Sequence, residues 1–396
     1  MTKSDLPIKN RYTIEDMIRA FVAAAKHKSN KPYVQKFEMM YVYAITTLLD
    51  DINSGMYQIS PSITFAVTWP KIREVWASDF IDRIVHHLIC DDLAAYYHKR
   101  FIHTNCACIP GKGTDFAIRY ANKYARSITQ DWTVPAYALK FDVSNFFVTI
   151  DKNILWSILS KDLGEDSLTM QLLKQILFKD PTDHAIIINK QKLKKVPPHK
   201  TLWNTDIAHG LPIGDLPSQL CASGIYMDGL DKFIKHKLKC KYYIRYVDDG
   251  IIFDTDIHRL RLISIRINRW LRIHRKLKLS TSKTKIVKVL NGFDFVGARI
   301  LPYRIHIRNS TIHKTKLAFA KIRRHPTKMS YIASVNSYLG MMMHRNSFNL
   351  RKRLCSELLM LYPELNFDKD YTKLYFSKYM DHRDTYIANL YSFHYS

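Results

Sequence analysis

Apolar residues recur at helical spacing through the first part of the chain. Over residues 13–55 this spacing predicts two amphipathic helices, one carrying a stripe of Ile14, Met17, Ile18 and Phe21. The next carries Phe37, Met40, Tyr41, Ala44, Ile45 and Leu48, and Ser54-Gly55 closes it. A strand-like run over 63–69 ends at Pro70 and is followed by the cations Lys71 and Arg73. Asp79 then opens Phe-Ile-Asp-Arg-Ile-Val-His-His, whose spacing continues as a helix to about Tyr97. Residues 137–141 form a short apolar strand ending in Asp142, and Phe146, Phe147 and Ile150 lead into a helix from about Asp151. The stretch 180–209 is polar and Pro-bearing and reads as an inserted loop, with a hairpin around 186–192. Gly210-Leu-Pro-Ile-Gly214 restores order, and 218–239 is helical by period.

The clearest strand signal lies over 242–253. Two β-rich runs, Tyr-Tyr-Ile-Arg-Tyr-Val and Gly-Ile-Ile-Phe, are separated only by Asp248-Asp249, which predicts a hairpin with two carboxylates at its tip. A basic helix over 259–277, a strand pair over 286–289 and 293–300, and a Lys/Arg-rich helical region complete the chain. Sheet and helices segregated in this order give the α+β class. No internal repeat is present.

Charge narrows the function. The chain has 396 residues, 61 Lys and Arg against 35 Asp and Glu, and a formal charge of +26. Between Ile257 and Lys328 there are 20 Lys or Arg and one acid, Asp294, so +19 of the +26 falls in less than a fifth of the length. A neutral small-molecule substrate does not account for such a stripe; a polyanion does, with binding that weakens steeply as salt rises. Six scattered cysteines show no disulfide spacing, and the N-terminus shows no apolar leader, which suits a reducing cytoplasm. Cys106-Ala-Cys108 beside His103 lacks the second ligand pair of a zinc site. No apolar run has the length of a membrane span.

Adjacent aspartates at a β-turn repel each other, and a divalent cation removes that cost. Phosphoryl transfer to a 3′-hydroxyl uses two metal ions about 3.5–4 Å apart, one activating the nucleophile and one holding the triphosphate and leaving group. Hard Mg²⁺ takes oxygen ligands, and Asp142 at a neighbouring strand end supplies a third carboxylate.

Tyr246-Val247-Asp248-Asp249 between apolar strands resembles the YxDD motif of reverse transcriptases. Other blocks agree in order: Phe141-Asp142-Val-Ser-Asn-Phe-Phe147 with the first palm motif, and Gly210-Leu-Pro-Ile-Gly-Asp-Leu-Pro-Ser-Gln219 with the second. Leu279-Ser-Thr-Ser-Lys283-Thr-Lys285-Ile and Gly292-Phe-Asp-Phe-Val-Gly297 are similar to the later lysine and primer-grip motifs. Asp79-Phe-Ile-Asp-Arg83 and Ile109-Pro-Gly-Lys-Gly-Thr resemble the fingers of group II intron-like bacterial enzymes. The resemblance implies a right-hand polymerase fold: an N-terminal helical extension (1–60), fingers with an inserted loop (61–135 and 152–209), a palm (136–151 and 210–300), and a basic helical thumb with a tail (301–396).

It further implies RNA-directed DNA polymerase activity. Asp142, Asp248 and Asp249, with the Val143 carbonyl, would hold two Mg²⁺, for which Mn²⁺ can substitute. Lys71, Arg73, Val143, Phe146, Phe147, Ile213, Gly214 and Gln219 would line the dNTP site, Phe147 as the gate against a ribose 2′-hydroxyl. Lys283 or Lys285 would protonate pyrophosphate, and Phe295 and Gly297 would grip the primer. Implied partners are template RNA, a DNA or RNA primer, the RNA–DNA hybrid and dNTPs, and no appended nuclease is expected. Ile213-Gly214-Asp-Leu-Pro-Ser218-Gln219, where most members read Gln-Gly-x-x-x-Ser-Pro, resembles the enzymes of diversity-generating retroelements. Those are bacterial or phage-encoded, err at template adenines, and work in a ribonucleoprotein with a small basic accessory protein oligomer. Asp215-Leu-Pro217 departs from that family's pattern, as does the long 180–209 insert, so a retron or phage-defence enzyme is the alternative. A non-catalytic RNA-binding scaffold is the alternative of another class.

Overall fold

A computed structural model describes residues 8–68 and 71–376. The N-terminal segment read as lacking a leader (in part), the Trp69-Pro70 end of the first strand and the C-terminal tail lie outside them. The chain forms two compact units. The first holds the described residues to Tyr120 together with Tyr137–Ile286; the second holds Ala121–Ala136 and the chain from Val287 on.

In the first unit, residues 13–55 form three helices, not two: α1 (Ile14–Ala25), α2 (Pro32–Met39) and α3 (Tyr41–Ser54). Pro32 at the first helical position starts α2, and α3 ends on Gly55 at φ 75°, a left-handed cap that glycine adopts without strain. Thr13 and Asp16 close a reciprocal capping box on α1. The buried face of α1 is Asp16, Met17, Ala20 and Ala24, while Ile14 and Ile18 of the expected stripe are exposed. The small alanines let α1 lie close against α4 (Phe80–Tyr97), and that closeness, not side-chain size, selects the face. The helix expected from Asp79 to about Tyr97 is α4; Asp79 caps it, and Ile84, Val85, Leu88, Ile89 and Leu93 form its core face. Full burial of each contributes about 1.5–3 kcal/mol.

Strands β1 (Ile63–Val67) and β2 (Arg73–Ala77) form an antiparallel hairpin. Helix α5 (Thr114–Ile128) carries the chain out of this unit, and β3 (Tyr137–Asp142) returns it. Next come the short α6 (Phe146–Thr149), α7 (Lys152–Leu163) capped by Asp151, and α8 (Leu168–Phe178). The hairpin expected around 186–192 is absent. β4 (Ile186–Ile188) instead pairs parallel with β1, and Asn189, left-handed at φ 57°, caps the single turn α9 (Lys190–Leu193). The left-handed residue redirects the chain into a helical turn before a return strand can form.

Residues 216–237 are helical, as the period indicated: α10 (Leu216–Gln219), wide π turns over Leu220–Tyr226, α11 (Met227–Lys232), and a second π stretch over Phe233–Lys237. Then follow β5 (Tyr242–Tyr246), β6 (Asp249–Asp254), α12 (Ile257–Arg275) and β7 (Lys285–Lys288). The palm-like sheet runs β5-β6-β3-β7. Gly250 of β6 faces Phe141 of β3, and a Cβ there would sit 2.1 Å from the Phe141 ring, so the ring lies across the sheet only because the residue is glycine.

The second unit corrects another expectation. Residues 293–300 are not one strand but a hairpin, β8 (Phe293–Phe295) and β9 (Ala298–Leu301), continued by β10 (Arg304–Ile307). Val296 and Gly297, at φ 42° and 85°, turn it, and β7 belongs to the sheet of β3. Helices α13 (Asn309–Arg324), α14 (Met329–Met343) and α15 (Phe348–Leu359) bury Phe319, Ile322, Val335, Leu339 and Leu358 against β11 (Leu365–Phe367) and β12 (Leu374–Phe376). Among the described residues no helix is long and apolar enough to cross a membrane.

Candidate active site

The antiparallel register of β3 and β6 sets Asp142 directly opposite Asp249. Asp248 occupies the tip of the β5–β6 hairpin between Val247 and Asp249. Burial first, then the Asp142 and Asp249 charges, push the Asp248 carboxyl up to about 6. After α12 the chain runs back past the end of β3. Ser144 N–H donates to the Lys278 carbonyl (3.0 Å), Ser280 N–H donates to the Asp142 carbonyl (2.8 Å), and Val143 bridges Leu279. That path delivers Lys283 Nζ to Asp142 Oδ2 at 2.6 Å. Of the two candidate lysines, the structure brings Lys283 to the carboxylates; Lys285 is exposed at the start of β7.

Val247 is held at φ 55°, a left-handed conformation unfavourable for a β-branched residue. The hold is Arg245, fully buried within an otherwise apolar strand. Its guanidinium donates to the Val247 and Ser223 carbonyls (2.7 Å each) and to both oxygens of buried Asp231 on α11, at 2.7 and 2.5 Å. Tyr243 donates a further bond to Asp231 (2.7 Å). The sequence reading missed Arg245 and Asp231. The available signal was a cation between Ile244 and Tyr246 in a core-facing run.

The 210–219 block docks on β2. The Trp76 N–H donates to the Ile213 carbonyl (2.8 Å), and Gly214 has φ 134°. A Cβ on Gly214 would lie 2.0 Å from the Trp76 carbonyl oxygen, so only glycine permits this approach. Gln219 ends α10, with its carbonyl accepting from Ser223 Oγ at 2.5 Å. Phe146 is buried and meets Phe147 edge-on at 5.4 Å. Lys71 and Arg73 are exposed at the turn end of the β1–β2 hairpin. In the second unit Phe295 is core, with its ring fully buried, and Gly297 is exposed at the β8–β9 turn.

Asp215, where the resembled family usually has Asn, is buried and accepts from Ser78 Oγ at 2.6 Å. Burial pushes its carboxyl from the ordinary 3.8 up to about 6. Its contribution to stability is therefore complete below 3.8 and is lost as pH rises through 6. Asp215→Asn keeps an acceptor for Ser78 without the titration. It is expected to stabilise the protein by on the order of 2–3 kcal/mol near pH 7.5 and to change little near pH 4. Urea denaturation at the two pH values checks this, and a variant no more stable than wild type at the higher pH counts against it.

Among the described residues no three His, Cys, Asp or Glu side chains close on one point as placed, and Asp142 is engaged by Lys283. The donors still suit a divalent cation chemically: hard oxygens only, two directly opposed, and a third whose charge the other two disfavour.

Residues 70–300 match the family described as "Reverse transcriptase (RNA-dependent DNA polymerase)". No curated protein matches the chain. Among solved structures, the telomerase from Candida albicans in complex with a fragment of telomeric RNA aligns with a TM-score of 0.44 and 11% identity, covering 83% of this chain. The chain spans 60% of the length of that telomerase chain.

Proposed function

Because the chain belongs to the reverse transcriptase family, we propose that it is an RNA-directed DNA polymerase making cDNA from a template RNA by nucleotidyl transfer. The observation that carries this is the register placing Asp142 opposite Asp249, with Asp248 at the adjoining turn. Members of the family normally use divalent metal ions. Here Asp142, Asp248, Asp249 and the Val143 carbonyl would hold two Mg²⁺, which when bound supply Lewis acidity at the primer hydroxyl and the leaving phosphates. Lys283 orients Asp142 and carries the proton nearest the site, which suits it over Lys285 as the donor to pyrophosphate. Phe147, braced by Phe146, closes the space beside a 2′-hydroxyl. The exposed cations Lys71 and Arg73 match the charge of a triphosphate. Gly297 presents backbone to the primer, whereas Phe295 supports that turn from the core.

The finer reading is error-prone copying at template adenines for mutagenic retrohoming, in a cytoplasmic ribonucleoprotein with a small basic accessory protein. Ile213 and Gln219 support it: an apolar side chain replaces a hydrogen-bonding one beside the incoming nucleotide, which relaxes selection. Sequencing cDNA from a template containing all four bases tests it. We expect errors concentrated at adenine and reduced by Ile213→Gln; uniform errors, or a spectrum that Ile213→Gln leaves unchanged, count against it. Asp215-Leu-Pro217 and the 180–209 insert favour the second reading, a retron or phage-defence enzyme, which predicts faithful copying.

A further inference from the structure

The insert over 180–209 is not a slack loop. On one side β4 is zipped to β1, pairing Ile63, Thr64 and Phe65 with Ile186, Ile187 and Ile188. On the other side the chain is pinned by Glu74, a buried carboxylate of β2. Glu74 accepts from Thr201 Oγ1 (2.7 Å), from the Leu202 N–H (2.8 Å) and from Trp76 Nε1 (2.9 Å). Two donors from the insert on one buried carboxylate, itself held by Trp76, fix the second wall in place. Between the walls lies a cleft of about 430 Å³, lined by Ile187, Lys190, Lys194, Trp203 and Asn204 among others.

The chemistry of this cleft is specific. Trp203 rests on Trp76 at 5.6 Å and leaves 41% of its surface exposed. Lys190 and Lys194 are one helical turn apart, and Lys192, Lys195 and Lys200 follow within the same short stretch. All five are exposed, and none forms a salt bridge among the described residues. No acid lines the cleft. The acids of the insert are used locally: Asp180 accepts from Thr182, Asp183 faces His184 at 3.5 Å and Asp206 pairs with His209 at 2.8 Å. A positively charged slot with an open aromatic face and an amide at its rim combines the two elements of single-strand recognition, phosphate neutralisation and base stacking. The flat exposed indole beside two phosphate-matching cations and no acid favours a nucleotide chain over an acidic peptide.

We propose that this cleft binds single-stranded RNA, with a base stacked on Trp203 and phosphates against Lys190 and Lys194. The site is separate from the carboxylates and gives the enzyme a grip on RNA outside the base-paired hybrid. The proposal rests on the reading of the chain as an RNA-directed polymerase, and primer extension on the same preparation keeps the two apart. Loss of extension on any template strikes that reading, whereas normal extension without RNA in the cleft strikes only this one.

The test uses the full chain and a short oligouridylate carrying a photoactivatable uridine. Crosslinks are expected on the peptide containing 186–204. Trp203→Ala is expected to weaken oligouridylate binding by about tenfold, with recovery in Trp203→Phe. Lys190→Gln with Lys194→Gln is expected to lower the slope of log Kd against log salt by about 0.7 per lysine. These two surface changes keep the test sound should Trp203→Ala fold poorly. Crosslinks confined to other peptides overturn the proposal, including the case in which the cleft takes a polypeptide. So does an affinity and salt slope unaltered by the lysine changes, or a Trp203→Ala defect that Phe does not repair.

Discussion

Asp249→Asn is expected to abolish Mg²⁺-dependent primer extension while leaving the protein folded. Asp249 faces Asp142 across the β3–β6 ladder, so the amide removes one of two directly opposed hard anionic donors beside Asp248. Loss of one such ligand forfeits several kcal/mol of charge stabilisation in the transition state, a rate reduction of at least about 10³-fold. Stability moves the other way. The Asp248 carboxyl is pushed up to about 6 by burial and then by its two neighbours, and Asp249→Asn deletes one of those charges. The metal-free variant should therefore melt no lower than wild type near neutral pH. Single-turnover extension and a thermal melt on the same sample decide the matter: wild-type extension by the variant removes Asp249 from the metal-holding carboxylates and the two-metal reading with it. A low-melting variant leaves the carboxylate repulsion unsupported.

The largest stability effect is expected at Arg245. The Arg245–Asp231 pair is fully buried, with both side chains at 0% exposure, and is satisfied on every side. Arg245→Met strands a buried carboxylate, which costs about 3–5 kcal/mol and lowers the melting temperature by on the order of 10 °C in a unit of this size. Pairing it with Asp231→Leu removes the stranded charge, and buried pairs replaced by apolar side chains often regain their stability. The double variant still lacks the donor that fixes the Val247 carbonyl at φ 55°. It should thus recover its melting temperature but not its extension rate. Full recovery of both would reduce Arg245 to a packing element; a single variant melting within about 1 kcal/mol of wild type would remove the argument for a coupled pair.

Much of this site was legible in the chain. The apolar strand ending at Asp142, the hairpin turning beside Asp248 and the helices opening at Asp79 and Asp151 each rest on local chemistry and stand where the residue pattern indicated, although the turn is Val247-Asp248 and Asp249 already belongs to β6. What was not legible depended on distant partners. The face chosen by α1 follows from how closely Ala20 and Ala24 approach α4, which the Ile14 and Ile18 periodicity does not encode. β4 pairs with β1 across more than a hundred residues of chain, so its local hairpin signal had a competitor that no local pattern reveals. Likewise, Lys283 and Lys285 share a motif and differ only in what the path past β3 brings within reach of Asp142.

The excursion of the chain through its second unit bears on how the protein can be made. Residues 121–136 are synthesised early, yet their companions come late: Ala136 accepts from the Val289 N–H, Asp131 from the Tyr303 hydroxyl, and Trp132 lies beside the Tyr303 ring. On the ribosome this segment has to wait, its indole unshielded, until the chain beyond Val287 has emerged. A fragment ending at Ile286 strands it permanently. Any graft that exchanges the C-terminal part of this enzyme for another has to carry 121–136 along with it.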